Sequence, residues 1–171
     1  MGTLADDVKG LFSFADSEER RFFRRAPTLK SIEKGFENFE LLSKESKVLG
    51  RRVNMGEVKM FDNLVVGYHA FSVLDNASAT KCERDYMDMG KGLNYVFSKK
   101  IFVHSDYRGR GFGSDFIRGA LDLSEKLGKH YIIDVDEDNY SMVNILNQFG
   151  IEIDSRWKDS KGIEMIRFYR E

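Results

Sequence analysis

DYRGRGFGSDF, residues 106–116, sets three alternating glycines, Gly109, Gly111 and Gly113, among two arginines, Arg108 and Arg110. Ahead of it, LNYVFSKKIFVH (Leu93 to His104) reads as a strand. Behind it, Ser114 to Leu127 places Phe116, Ile117, Ala120, Leu121, Leu123, Ser124 and Leu127 at helical spacing, with Gly128 as a natural C-cap. A strand that ends in a glycine-rich turn and opens a helix leaves unpaired backbone N–H groups at the helix start, converging with the positive end of the helix dipole. That is an anion site, best suited to phosphate. The glycines let the backbone approach the ligand and take positive φ, and the arginines add charge.

Further downstream, HYIIDVD (His130 to Asp136) predicts a short buried strand, and NYSMVNILNQF (Asn139 to Phe149) a helix closed by Gly150. Two final strands, Ile151 to Trp157 and Ile163 to Tyr169, flank the turn KDSKG. Upstream, EVKMFDNLVVGYHAFSVLD (Glu57 to Asp75) predicts a hairpin around Asp62-Asn63, followed by a polar loop from Asn76 to Gly92. From Asp6 to about Leu49 the pattern is helical and charged, and Pro27 divides it into two helices, with Thr28 or Ser31 capping the second. The expected fold is therefore α/β (α+β): one domain over residues 1–171, a mixed, mostly antiparallel sheet of about six to seven strands, and helices on both faces.

Composition narrows the function classes. A chain of 171 residues, 42% hydrophobic and 32% charged, can bury a core and has the balance of a soluble protein. Its formal charge of -1 creates no net field to recruit nucleic acid or a membrane, and the basic cluster ERRFFRR (Glu19 to Arg25) reads as a solvated helix face. The single cysteine, Cys82, cannot form an internal disulfide, and MGTLADDVKG lacks the apolar run of a secretion signal. The cytoplasm is the expected location.

Three ligand classes use such a glycine loop. A dinucleotide fingerprint would run Gly109-x-Gly111-x-x-Ser114, with Asp134 or Asp136 as ribose partner. A methyl-donor loop would place Asp106 before GxGxG. Both folds need several further strand–helix units behind the loop, whereas only one such unit and a closing hairpin follow here. The third class fits the whole order of elements. VHSDYRGRGFGSDFI resembles motif A of the GNAT family of acyl-CoA-dependent N-acyltransferases, with the signature Arg108-x-x-Gly111-x-Gly113 at a strand end. NYSMVNILNQFGI (Asn139 to Ile151) resembles the family's second element, at the right distance.

The resemblance implies an N-acetyltransferase that moves an acetyl group from acetyl-CoA directly to a primary amine on a small molecule or protein. It also implies an acyl-CoA-binding core over residues 93–151 and a helical acceptor-side region over residues 1–50. Ile101, Phe102 and Val103 would pair with the pantetheine arm. Backbone from Arg108, Gly109, Arg110, Gly111, Phe112, Gly113 and Ser114 would wrap the pyrophosphate, and Asn139 would bond the cofactor arm or simply cap its helix. Asp134 stands where some members carry a base, with Asp136 and Glu137 as further choices. No metal is implied, and a homodimer is compatible.

Many members carry a tyrosine acid in the second helix; Leu146 stands there, and Tyr140, six residues earlier, lies about 240° round the helix. A non-catalytic acyl-CoA-binding or interaction module of the same fold is therefore the alternative. His104 sits beside the loop, while His69 and His130 read as structural. Glu83, Asp85 and Asp88 would suit a cationic acceptor.

Overall fold

The computed structural model describes residues 3–15, 27–45, 53–74 and 94–171. The basic cluster at residues 19–25, Cys82 and the acidic residues Glu83, Asp85 and Asp88 lie outside these ranges, as does the expected loop from Asn76 to Gly92.

Helix α1 (Leu4–Leu11) begins where Thr3 and Asp6 cap each other: the Asp6 amide donates to Thr3 Oγ1 at 3.3 Å and the Thr3 amide to Asp6 Oδ2 at 2.8 Å. Its spacing buries Ala5, Val8 and Leu11 on one stripe. Helix α2 (Leu29–Glu45) follows Pro27, and Thr28 is its cap, accepting from the Ser31 amide at 3.2 Å. The predicted hairpin forms from β1 (Val53–Phe61) and β2 (Leu64–Leu74), joined by Asp62 and Asn63 at φ 48° and 63°. These are two of the residue types that tolerate the left-handed region a tight hairpin needs.

Next come β3 (Tyr95–Val103), α3 (Phe112–Leu127), β4 (His130–Asp136), α4 (Tyr140–Gln148), β5 (Glu152–Lys158) and β6 (Glu164–Arg170). The six strands lie in the order β1-β2-β3-β4-β6-β5, and every pairing is antiparallel except that of β3 with β4. This is the mixed α/β sheet that the sequence predicts. No helix among the described residues is long and apolar enough to cross a membrane.

Alternation along β4 assigns the two faces of the sheet. Tyr131, Ile133 and Val135 join Ile117, Ala120 and Leu121 of α3 and Leu146 of α4 in one core. Ile132 and Asp134 point to the other side, where α1 and the first half of α2 cover Tyr68 and Phe102 further along the sheet. Helix α2 reaches β1 at a contact between glycines. A Cβ on Gly35 would lie 3.0 Å from the Gly56 nitrogen and 3.2 Å from the Met55 carbonyl carbon, backbone atoms that cannot swing aside. Gly35→Val is expected to lose about 2 kcal/mol through overpacking, despite valine's better helix propensity. A thermal melt equal to that of the parent would show that the helix can stand off the sheet.

Candidate functional site

The parallel pairing of β3 with β4 runs from Tyr95↔His130 to Ser98↔Ile133 and stops. Beyond it, among the described residues, β3 keeps only β2 as a neighbouring strand through Val103, and β4 keeps only β6 through Asp136. The sheet thus opens at a vertex formed by Ser98 and Ile133, and one wall of the opening is the strand edge of Ile101, Phe102 and Val103. These are the three residues expected to meet an extended ligand arm. A strand edge that faces no second strand is suited to pair with such an arm.

At the end of that wall a 3-10 turn, Ser105–Tyr107, leads into the glycine loop. Gly109 and Gly111 take φ 74° and 86°, and a Cβ on either would meet no atom within 4 Å. Gly111 is the N-cap of α3, whose first backbone bond runs from the Asp115 amide to the Gly111 carbonyl at 2.9 Å. The amides of Phe112, Gly113 and Ser114 therefore precede the helical ladder, at the positive end of a 16-residue helix. Open space beside two left-handed glycines, with helix-start amides next to it, fits a pyrophosphate.

The arginines have a second task that the sequence did not reveal. Arg108 Nε donates to the Val103 carbonyl at 3.0 Å and ties the loop back to the strand end. The Arg110 guanidinium lies 5.0 Å from the Phe61 ring centre and 5.2 Å from that of Tyr107, so it clamps the tip of the β1–β2 hairpin onto the loop. His104 is half-buried, meets the Phe14 ring at a tilt with 4.8 Å between ring centres, and accepts from the Asp106 amide through Nδ1. Asn139 caps α4, its Oδ1 accepting from the Met142 amide at 3.3 Å.

On the face away from α3, Asp134 is held by Arg167: Nε donates to Oδ1 at 2.7 Å and Nη2 to Oδ2 at 2.9 Å. The two side chains are only 7% and 6% exposed. The first choice for a base thus has both carboxylate oxygens engaged in a two-pronged ion pair. The sequence could not reveal this, because Asp134 and Arg167 meet only through the register of β4 on β6.

Asp136, one step further along the same face, accepts from the Asp138 amide at 2.9 Å and lines a cavity of about 330 Å³ with Glu137, Asp138, Gly162, Ile163 and Glu164. Glu137 is also paired with Arg156. Leu146 is fully buried in the core under α3, and Tyr140 is 68% exposed. His69, expected to be structural, is fully buried and lies in a chain of polar side chains that ends at the vertex. The Glu57 carboxylate is 2.8 Å from its Nδ1, Ser98 Oγ is 2.9 Å from its Nε2, and the Tyr131 hydroxyl donates to Ser98 at 2.9 Å. Burial holds the Tyr131 phenol well above the usual tyrosine range, against a smaller opposing effect of its bond to Ser98.

The sequence matches the family model of the GNAT acetyltransferases over residues 13–151. No curated protein matches it in sequence. Among solved structures it is similar to a GNAT superfamily phosphinothricin acetyltransferase from Sinorhizobium meliloti in complex with acetyl-CoA. That match has 14% identity and a TM-score of 0.61, and covers 99% of this chain and 85% of the other. A ribosomal-protein-alanine N-acetyltransferase from Brucella melitensis matches at 12% identity and a TM-score of 0.61, over 99% and 97% of the two chains. An acetyltransferase of the GNAT family from Streptococcus pneumoniae matches at 12% identity and a TM-score of 0.58, over 96% and 92%. At such identities these likenesses describe the fold.

Proposed function

Because the chain belongs to the GNAT acetyltransferase family, we propose that it transfers an acetyl group from acetyl-CoA to a primary amine within a ternary complex. The observation that carries this reading is the joining of two features on one strand, the opening of the sheet beyond Ser98 and the left-handed glycine loop at the end of the wall. The wall of Ile101, Phe102 and Val103 would hold the pantetheine arm by backbone pairing. Amides from Arg108 to Ser114 would hold the pyrophosphate, and Asn139 would border the arm from the start of α4. Bound there, acetyl-CoA supplies an acetyl thioester, whose carbonyl carbon an amine can attack and whose thiolate can leave.

The attacking amine must be neutral, so a base has to take its proton. Of the two aspartates on that face, Asp136 suits the role better, because it borders a cavity while Asp134 is bound on both oxygens by Arg167. Carboxylates around the same cavity would attract a cationic amine. Asp136→Asn is expected to lower kcat on the order of a hundredfold and leave the affinity for acetyl-CoA within about twofold. An unchanged kcat would remove Asp136 from the mechanism.

A second reading, binding without turnover, is favoured by Leu146, which fills the core where a proton donor is common in the family. Thermal shift with acetyl-CoA, CoA, NAD and S-adenosylmethionine, followed by thiol release over a panel of amines, separates the readings. Acetyl-CoA and CoA should raise the melting temperature, by the equivalent of about 2.7 kcal/mol at a hundred times Kd. A rise with NAD or S-adenosylmethionine alone would overturn the acyl-CoA assignment. A rise with acetyl-CoA and no thiol release with any amine would favour the module.

A further inference from the structure

The polar chain Glu57–His69–Ser98–Tyr131 crosses four neighbouring strands, one residue on each of β1, β2, β3 and β4. His69 and Tyr131 are fully buried and Ser98 is 2% exposed, among the rings of Phe71 and Phe116 and the side chains of Val96 and Ile133. Burying three polar groups is costly unless every hydrogen bond is made, and apolar side chains would fill this space more simply. The two ends of the chain suggest a use. Toward its inner end, Ser98, bonded by the terminal Tyr131, is the last residue of β3 paired with β4 before the sheet opens. At its outer end, the Glu57 side chain is 24% exposed and meets solvent.

The hydrogens available determine what the chain can do. Tyr131 has one O–H, and it goes to the Ser98 oxygen. When His69 is neutral with its proton on Nδ1, toward Glu57, its Nε2 is an acceptor and takes the Ser98 proton. When His69 is protonated, Nε2–H donates instead. Both lone pairs of Ser98 are then filled, and its own proton has no acceptor within the chain. Helix α4 brings apolar Leu146 to this core, with Met142, Val143 and Ile145 packed against it.

We propose that Ser98 supplies the proton taken up by the departing thiolate, and that Tyr131, His69 and Glu57 orient and recharge it. The proposal rests on the acetyl-CoA reading above. As the carbon–sulfur bond breaks, its electron pair stays on sulfur. Ser98 gives its hydroxyl proton to that pair and takes the Nε2 proton of His69, which is left neutral with Nδ1–H on Glu57. After the thiol has left, water in the emptied opening returns a proton to His69 through Ser98. Ser98 is thus the catalytic residue, and the other three are positioning residues. The amine's proton leaves on the Asp136 face of β4 and the thiolate is served on the Tyr131 face.

The test compares CoA with desulfo-CoA, which lacks the sulfur, on the wild-type protein. Calorimetry measures binding, and nitrogen-15 NMR follows the imidazoles of the three histidines, with His69→Asn assigning the His69 signals. Both ligands should bind within a few-fold of each other, and only CoA should move the Nε2 resonance of His69. If both bind and the resonance moves equally or not at all, the relay is wrong and the cofactor reading stands. If neither binds, the cofactor reading falls and the relay with it. In turnover, Ser98→Ala should lose on the order of a hundredfold in kcat with the acetyl-CoA affinity unchanged, and Ser98→Thr should restore most of it. An alanine variant with full kcat would also overturn the proposal.

Discussion

Arg167→Met is expected to destabilise the protein by about 3–5 kcal/mol, more than Gly35→Val or any change in the glycine loop. The guanidinium is the two-pronged partner of a carboxylate that is 7% exposed, on the central β4–β6 pair. Removing it takes two charge-assisted bonds from a carboxylate in a site with little water, where the desolvation of a charge is offset by the groups bonded to it. At roughly 2–4 °C per kcal/mol for a chain of this size, the melting temperature should fall on the order of 10 °C. The double replacement Arg167→Met with Asp134→Leu should recover much of the loss, because it removes the buried carboxylate together with the guanidinium that it faces. A single variant that melts like the parent would mean that solvent reaches the pair.

Asp134→Asn separates a structural role of this carboxylate from a chemical one. An ion-pair partner replaced by asparagine loses stability and keeps its turnover per folded molecule. A base replaced in the same way keeps stability and loses turnover. The measured pattern therefore tells the two roles apart.

What could be read from the sequence follows the range of the interactions involved. The glycine loop, the Asp62-Asn63 hairpin, the Gly128 cap and the Asn139 cap are local devices, each set by a few neighbouring residues whose backbone needs are written in their types. The strand ends of β4 come out as expected, because a β-branched run between polar residues has few alternatives. The ion pair and the polar chain are different. Asp134 meets Arg167 across 33 positions only because β6 inserts between β4 and β5, an order that a closing hairpin leaves open. His69 reaches Ser98 diagonally because a register shift between Ala70 and Phe71 resets the phase of β2 on β3. A period-two pattern marks His69 as inward-facing but does not name its partner. The family match, beginning at residue 13, also extends further toward the N-terminus than the two motifs that carry the resemblance.

Gly111→Val should weaken acetyl-CoA binding by at least about a hundredfold while costing the fold only about 1–2 kcal/mol. The fold cost is that of placing a β-branched residue at φ 86°, and it stays small because the added carbon meets no protein atom within 4 Å. The binding cost arises because that open space is where the pyrophosphate would approach the amides that begin α3. Losing two charge-assisted bonds at about 1.5 kcal/mol each already gives a factor on the order of 150. Gly128→Val separates strain from binding. Gly128 ends the same helix, also in the left-handed region at φ 60° and also facing open space, but at the negative end of the dipole. The two variants should melt within a few degrees of each other, and only the one at Gly111 should fail to bind in calorimetry. Equal affinity in both would mean that the loop is an ordinary tight turn and that any cofactor is held elsewhere. Equal loss in both would mean that helix α3 as a whole, rather than its first turn, carries the binding.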